Sequence, residues 1–301
     1  MSLDGTFHLF TLPAPTISVG SLAAGADGNL WFTDVSNIGG PSYAYSNKIG
    51  RLTPSGVFSE FPLTLRKATD VINLLITGPD GNLWFSIDSY LPDYSAFGEM
   101  GRMTPQGAVT IFNLGKFSEP RDLTIGPDNN IWFSAGGLIG RITMSGQVRL
   151  FDPDPQAKAF DRIGSSGITT GSDGALWFAT VNVAVGRVTT DGTFNFYPLP
   201  PNTDFDNGGS SLDIGNLRGI VAAADGTLWL TNDGQIGHFD RCFGYKKWKT
   251  SRVSSTGGRT LARRAPPRSV PLPGQSPASS GPGYPASLPR TRSLCRHMPG
   301  W

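Results

Sequence analysis

GADGNLWFTD at 25–34 is written again as GPDGNLWFSI at 78–87, GPDNNIWFSA at 126–135, GSDGALWFAT at 171–180 and AADGTLWLTN at 223–232. Each copy is followed by a second phrase: NKIGRLTPSG (47–56), GEMGRMTPQG (98–107), GLIGRITMSG (137–146), VAVGRVTTDG (183–192) and GQIGHFDRCF (234–243). Trp31, Trp84, Trp132, Trp177 and Trp229 are spaced by 53, 48, 45 and 52 residues. A period in this range, with four short strand-like runs per unit, predicts an all-β propeller of four-stranded antiparallel blades. Five blades are recognisable, at about 19–62, 71–114, 121–152, 166–199 and 218–248.

One unit reads as follows. Residues 19–24 (VGSLAA) form strand A, whose small residues suit a crowded axis. Asp27-Gly28-Asn29 is a tight turn, since Gly and Asn tolerate positive φ. Asn29–Asp34 is strand B, apolar on both faces because neighbouring blades cover both. Ile49–Thr53 is strand C, Pro54-Ser55-Gly56 a turn, and Val57–Pro62 strand D. The aromatic of strand D falls 12 residues after the first apolar residue of strand C: Ile49 to Phe61, Met100 to Phe112, Ile139 to Phe151, Val185 to Tyr197. Ile236 to Trp248 extends the rule to the fifth unit. Residues 4–13 match a D strand without a blade of its own. They either complete the last blade or belong to a blade whose other strands are missing.

The 301 residues carry a formal charge of +2, which hides a division. Residues 1–240 hold 13 Lys+Arg against 23 Asp+Glu, whereas 241–301 hold 12 Lys+Arg and no acid. Residues 249–301 are basic and rich in Pro, Ser and Arg, without periodicity. They are expected to be a disordered tail, since they have too little apolar surface to offset ordering entropy. A shifted reading frame would also write such text. No Arg/aromatic spacing supports a nucleic-acid partner. No run reaches the roughly 18 apolar residues of a membrane span, so no membrane partner is expected. MSLDGTFHLF lacks a signal-peptide pattern, and the default expectation is a cytoplasmic monomer.

Where the chemistry would lie follows from loop lengths. A–B and C–D turns are uniformly tight, while the B–C segments (35–47 and 88–98) and D–A segments (63–70, 152–165 and 198–217) are long. All the long loops therefore gather on one face, the usual place for a site. Candidate ligand-binding residues there are Asn73, Arg121, Ser166 and Arg218 leading into A strands, and Asp34, Asp88 and Asn232 where B strands end. Tyr43, Tyr45, Tyr90 and Tyr94 would supply aromatic walls. The expected ligand is a small molecule or peptide. The repeated Asp-Gly-Asn lacks the spaced acids and terminal Glu of a calcium loop, and reads as turn chemistry. The Gly-Arg of strand C (Arg51, Arg102, Arg141, Arg187) recurs too often to be catalytic and reads as an inter-blade ion pair or hydrogen-bond anchor.

With its LWFT, IGR-[IL]-T-x-x-G and F-x-x-F-x-L-P phrases, residues 4–240 resemble the streptogramin lyases, the virginiamycin B lyase family. The resemblance implies a seven-bladed propeller and a Mg²⁺-dependent elimination that opens the ester ring of streptogramin B antibiotics. In the family pattern a His general base leads into strand A and a metal-binding Glu follows fourteen residues later. The matching pairs here are Gly20/Asp34, Asn73/Ile87, Arg121/Ala135, Ser166/Thr180 and Arg218/Asn232. None is His/Glu, so no catalytic residue and no metal ligand set carries over. Either the blades bearing the pair are missing, or the protein is a non-catalytic binding propeller for a carbohydrate, cell-wall fragment or peptide.

Overall fold

A computed structural model describes residues 8–12, 18–39, 44–67, 69–90, 96–116, 119–135, 137–153, 167–180, 184–198, 219–232, 235–239 and 249–251. These form five four-stranded antiparallel sheets and no helix. The first blade is β1 (Val19–Ala24), β2 (Leu30–Gly39), β3 (Ala44–Leu52) and β4 (Phe58–Pro62). The second is β5 (Val71–Thr77), β6 (Leu83–Tyr90), β7 (Ala96–Met103) and β8 (Val109–Lys116). The third is β9 (Pro120–Ile125), β10 (Ile131–Ala135), β11 (Leu138–Ile142) and β12 (Val148–Phe151). The fourth is β13 (Ile168–Thr170), β14 (Leu176–Ala179), β15 (Ala184–Val188) and β16 (Phe194–Pro198). The fifth is β17 (Gly219–Ala222), β18 (Leu228–Asn232), β19 (Gln235–Phe239) and β20 (Lys249–Ser251). Every sheet is a simple meander. The architecture is the β-propeller that the repeat predicts.

The repeated letters now have causes. In the turn, Asp27 Oδ1 accepts hydrogen bonds from the Asn29 amide (3.1 Å) and from Trp31 Nε1 (3.0 Å). Asp80, Asp128 and Asp173 hold Trp84, Trp132 and Trp177 in the same way, at 3.1, 2.8 and 3.0 Å. The aspartate is thus turn chemistry and the partner of a buried indole N–H. The next residue takes positive φ, 76° at Gly28, and Asn129 fills the position at φ 55° in the third copy. Asn tolerates this region better than other non-glycine residues. The strand-C glycine has a steric cause: a Cβ on Gly101 would stand 2.1 Å from the Phe85 ring. The Phe of each LWF lies flat across that bare backbone.

The strand-C arginine lies against both aromatics of its blade. Arg51 sits 5.4 Å from the ring centroids of Trp31 and of Phe61, which are themselves 5.3 Å apart. The arrangement recurs with Arg102 on Trp84 and Phe112, and with Arg141 on Trp132 and Phe151. Its bonds differ in part from the sequence expectation. The ion pairs are within a blade, Arg141–Asp128 at 3.3 Å and Arg187–Asp173 at 2.8 Å. The inter-blade contact is a hydrogen bond to the next blade's C–D turn: Arg102 to Met144 O (2.7 Å) and Arg141 to Thr190 O (3.2 Å).

Blades pack in one direction. The Trp face of each covers the Leu-x-Phe face of the next. Trp31 and Ile49 meet Leu75, Leu83 and Phe85; Trp84 and Met100 meet Ile131 and Phe133. Trp132 and Ile139 meet Ile168, Leu176 and Phe178; Trp177 and Val185 meet Ile220, Leu228 and Leu230. Around the axis, A-strand side chains stitch neighbours together. Ser21 Oγ accepts from the Leu75 amide (3.0 Å), Thr77 Oγ1 donates to Ala24 O (2.7 Å), and Asp122 Oδ2 accepts from the Ile168 amide (2.7 Å).

Three expectations change. The B–C segments 35–47 and 88–98 are not free loops. They continue as two-stranded ribbons, paired out to Gly39↔Ala44 and Tyr90↔Ala96. A backbone projecting that far satisfies its own N–H and C=O groups by ladder pairing. The fifth outer strand does not keep the 12-residue offset, for Ile236 pairs with Ser251. Asp240-Arg241-Cys242-Phe243 lacks the Thr-x-x-Gly turn that closes the other C–D hairpins, so the strand returns three residues late. Residues 249–251, expected in the tail, therefore lie in the sheet; 252–301 fall outside the described residues. The N-terminal segment is irregular at 8–12 rather than a strand, yet Phe10 stands against Gly56, where a Cβ would be 2.8 Å from its ring. Phe61 stands against Gly107 and Phe151 against Gly192 in the same relation. Phe10 occupies the outer-aromatic position of a blade preceding the first.

Candidate functional site

Three of the expected site residues come together where the second and third blades meet. Asn73 is carried by an irregular stretch of β5, because the pairing with β6 slips between Ile72 and Leu75. The Leu74 amide is held by Ser86 Oγ (3.0 Å), which turns Asn73 outward. Asn73 Nδ2 then donates to Asp88 Oδ2 (3.2 Å). Asp88 lies on β6 opposite Val71 and Gly98, and its other oxygen, Oδ1, is buried without a protein partner. From the third blade, Arg121 donates to Glu119 Oε2 at 2.5 Å. Glu119 is buried, while the Arg121 side chain is 43% exposed.

The electrostatics of this group are unusual. Burial is the main force on Asp88, and the charge of nearby Glu119 acts in the same direction. The bond from Asn73 and the charge of Arg121 oppose them. The carboxyl is pushed up to about 6. Its free oxygen is therefore an acceptor at neutral pH and a donor under mild acid. Asn73 adds an amide, and Arg121 adds a guanidinium edge facing solvent. Together they suit a ligand with both N–H or O–H donors and carbonyl or carboxylate acceptors.

Of the remaining candidates, Asp34 and Tyr45 are described with their side chains. Asp34 is fully buried and its Oδ1 caps the Ser18 amide at 2.9 Å. That bond fastens the start of β1. The residue matched with it, Gly20, is confined, since a Cβ there would stand 2.7 Å from Thr33 Oγ1. Tyr45 lies half-buried on β3 opposite Asn37, in the ribbon rather than in a loop. Tyr90 and Asn232 end β6 and β18, and their side chains lie outside the described part, as do Tyr43, Tyr94, Ser166 and Arg218 altogether. The aromatic wall is thus not assembled among the described residues.

Sequence reading missed Glu119, Asp70 and Asp122. Glu119 and Arg121 stand two apart on extended backbone, and that alternation was the available signal. Asp70 is buried, and its side chain accepts from Ser89 Oγ and from the Lys67 amide (2.8 Å). Asn47 bonds the backbone on either side of Val71: Nδ2 donates to Asp70 O (2.7 Å), and Oδ1 accepts from the Ile72 amide (2.9 Å). Burial raises Asp122 despite bonds from the Ile168 and Leu123 amides. Nearby on the second blade, Arg66 lies 4.7 Å over the Phe97 ring, and burial raises Glu99 against the pull of Arg66.

A Mg²⁺ ion finds no fitting place in this set. Among the described residues no three His, Cys, Asp or Glu side chains gather closely enough to hold a metal. Glu119 is committed to Arg121, and Asp88 resists ionisation, so neither behaves as a ready hard ligand. Of the described histidines, His8 is exposed on the N-terminal segment, and His238 stacks on Trp229 at 5.2 Å in the arginine position. Neither leads into an A strand.

Fold and site define a β-propeller with a polar cluster at the seam of two blades. A virginiamycin B lyase family model matches residues 1–163 and 46–242, and the chain belongs to that family. A virginiamycin B lyase of Nocardia farcinica (strain IFM 10152) is 29% identical over 234 residues, covering 75% of this chain and 67% of that protein. The structure is similar to that of selenomethionine-substituted virginiamycin B lyase from Staphylococcus aureus: TM-score 0.62, 28% identity, 84% of this chain and 76% of that one. The extracellular domain of a putative hybrid two-component system from B. thetaiotaomicron shares the fold alone, with TM-score 0.51, 15% identity, 79% of this chain and 28% of that one.

Proposed function

We propose that this chain is a virginiamycin B lyase-like propeller that binds a polar small molecule or peptide at the seam of blades two and three, without opening an ester ring. One observation carries the reading. In none of the five recognisable blades do the positions that match the family's His/Glu pair carry it: this sequence has Gly/Asp, Asn/Ile, Arg/Ala, Ser/Thr and Arg/Asn there. An elimination needs a base positioned at the proton it removes, and neither His8 nor His238 stands at such a place. What the seam does offer is recognition: the exposed Asn73 amide, held by the carboxylate of Asp88, and the exposed edge of Arg121.

The test uses a streptogramin B antibiotic, whose depsipeptide ring carries both donors and acceptors. It is incubated with the full chain and Mg²⁺ and followed by mass spectrometry, while calorimetry follows binding. The expected result is saturable binding and no linearised product. Asp88→Ala should weaken binding roughly tenfold or more, as for a lost hydrogen bond to a charged group. Mg²⁺-dependent linearisation would overturn the absence of chemistry. Equal affinity in wild type and Asp88→Ala would move the ligand elsewhere. The same calorimetry with a peptidoglycan fragment and an oligosaccharide compares the other ligand classes.

A further inference from the structure

Charge is out of balance at the seam of blades two and three. Asp88 and Glu119 bring two carboxylates there, and Arg121 is the positive charge that acts on Asp88 while pairing with Glu119. Glu119 holds it closely: the ion pair is 2.5 Å long, and the Glu119 side chain is 3% exposed. Asp88 is left with the Asn73 Nδ2 bond on Oδ2, at 3.2 Å, and with a buried Oδ1 that has no protein partner among the described residues. An ionised carboxylate with one oxygen buried and unpaired is the state that a proton relieves. The other charges of this region turn elsewhere, since Arg66, Lys67 and Asp70 act on Glu99.

Arg121 is nonetheless open to a ligand. Its side chain is 43% exposed. Nη2 holds Glu119, and a guanidinium carries further N–H donors in a planar fork that matches a carboxylate. Asn73, also exposed, adds an amide that both donates and accepts. A ligand carboxylate on Arg121 would be the third negative group around one positive one. Added negative charge favours the neutral form of the acid that is least well held, and that acid is Asp88.

Resting on the reading that ligands bind at this seam, we propose that they are carboxylates: the acid sits on the open edge of Arg121, and Asp88 takes up a proton from solvent as it binds. Arg121 recognises the acid, and the proton restores the balance of charge. Asp88 already stands at about 6 without a ligand. The proton is therefore in place below that value and has to be acquired above it, so affinity falls as pH rises from there toward 8.

Calorimetry of the full chain tests it, with N-acetyl-alanyl-alanine, its C-terminal amide, and lactate as probes. At least one of the two acids should bind, about tenfold tighter at pH 5.5 than at pH 8, because each unit added to the Asp88 pKa is a factor of ten. Which acid binds separates a peptide C-terminus from a free small acid. At pH 6.5 the heat measured in imidazole and in bis-tris should differ in the sense of proton uptake. Asp88→Asn keeps an acceptor for Asn73 in a permanently neutral group. It should bind at pH 8 as tightly as wild type does at pH 5.5. Arg121→Gln should lose binding at both. A wild type without pH dependence, or an Asp88→Asn variant that keeps it, would overturn the proton uptake and leave the seam as the site. Binding of neither acid, or of the amide as tightly as its acid, would overturn the carboxylate class. Acid binding unchanged in Arg121→Gln would overturn the seam reading itself.

Discussion

Removing the Asp128 carboxylate by Asp128→Ala tests the role assigned to the repeated aspartate, with a control built into the same molecule. Asp128 accepts from Trp132 Nε1 at 2.8 Å, from the Asn130 amide at 3.3 Å and from Asn130 Nδ2 at 2.8 Å, and pairs with Arg141 at 3.3 Å. Trp132 is fully buried, so its N–H would lose its partner with no water to replace it. An unsatisfied buried donor, plus the loss of a partly buried ion pair, costs about 2–3 kcal/mol. For a domain of this size that corresponds to a fall in Tm of about 4–12 °C. In the fifth blade Asp225 holds the Thr227 amide at 2.9 Å, and its Trp229 is 42% exposed. Asp225→Ala should therefore lower Tm by much less. Melting curves by circular dichroism at pH 7 compare the two. Acid titration adds a second signature. Burial works to raise Asp128, but the bonds from Asn130 and Trp132 and the charge of Arg141 outweigh it, and the net direction is downward. A carboxyl lowered in the folded state contributes stability above its unfolded pKa and loses it as pH falls through the folded value. Asp128→Asn should accordingly lose less stability than wild type below about pH 4. Equal Tm changes for Asp128→Ala and Asp225→Ala, or none for the first, would refute the account.

Three further outcomes follow from other sites. Asp88 has the opposite sign: its folded pKa is raised to about 6, so ionisation works against folding above that pH and not below the unfolded value. Asp88→Asn should be more stable than wild type by up to about 3 kcal/mol at pH 8, with the advantage gone near pH 4, as read by denaturant unfolding at both. Gly101→Ala places a Cβ 2.1 Å from the Phe85 ring. It should cost about 3 kcal/mol in the same unfolding assay, with partial recovery in the Gly101→Ala, Phe85→Leu double variant. Asn47→Ala strips two backbone groups, Asp70 O and the Ile72 amide, of a buried partner. It should destabilise by about 2–4 kcal/mol and speed amide exchange at Ile72 in particular.

The fold was legible because its cause is local and repeated. A tight turn, a Phe against bare backbone and a stacked Trp leave the same letters in four copies, and a fifth with Leu230 for the Phe keeps the pattern hard to misread. The site was legible only in fragments. Asn73, Asp88 and Arg121 were expected from positions defined by the repeat, and the structure brings these three together at one seam. Glu119 was missed because its two-residue spacing from Arg121 is common on any strand, while its effect on Asp88 acts across a blade seam. The ribbons at 35–47 and 88–98 read as loops because polar residues and Pro/Gly neighbours disguise ladder pairing. Asp34 was expected at the ligand face, and the structure has its Oδ1 capping the Ser18 amide, a bond that leaves no trace in sequence. The late return of β20 reflects a turn whose grammar had already failed at Arg241.

The stack of strand-C arginine on Trp and outer aromatic, with its bond to the next blade's turn in blades two and three, makes each of those units an adapter. It reads only the unit before it and presents only to the unit after it. A gene duplication that copies one such unit would insert a blade whose two sides already match their new neighbours, and a deletion would leave matching sides behind. Copy number can therefore drift in such a chain without redesign of its core. The seam cluster of Asn73, Asp88, Glu119 and Arg121 is different, because it exists at one junction and would be lost by any change of order there.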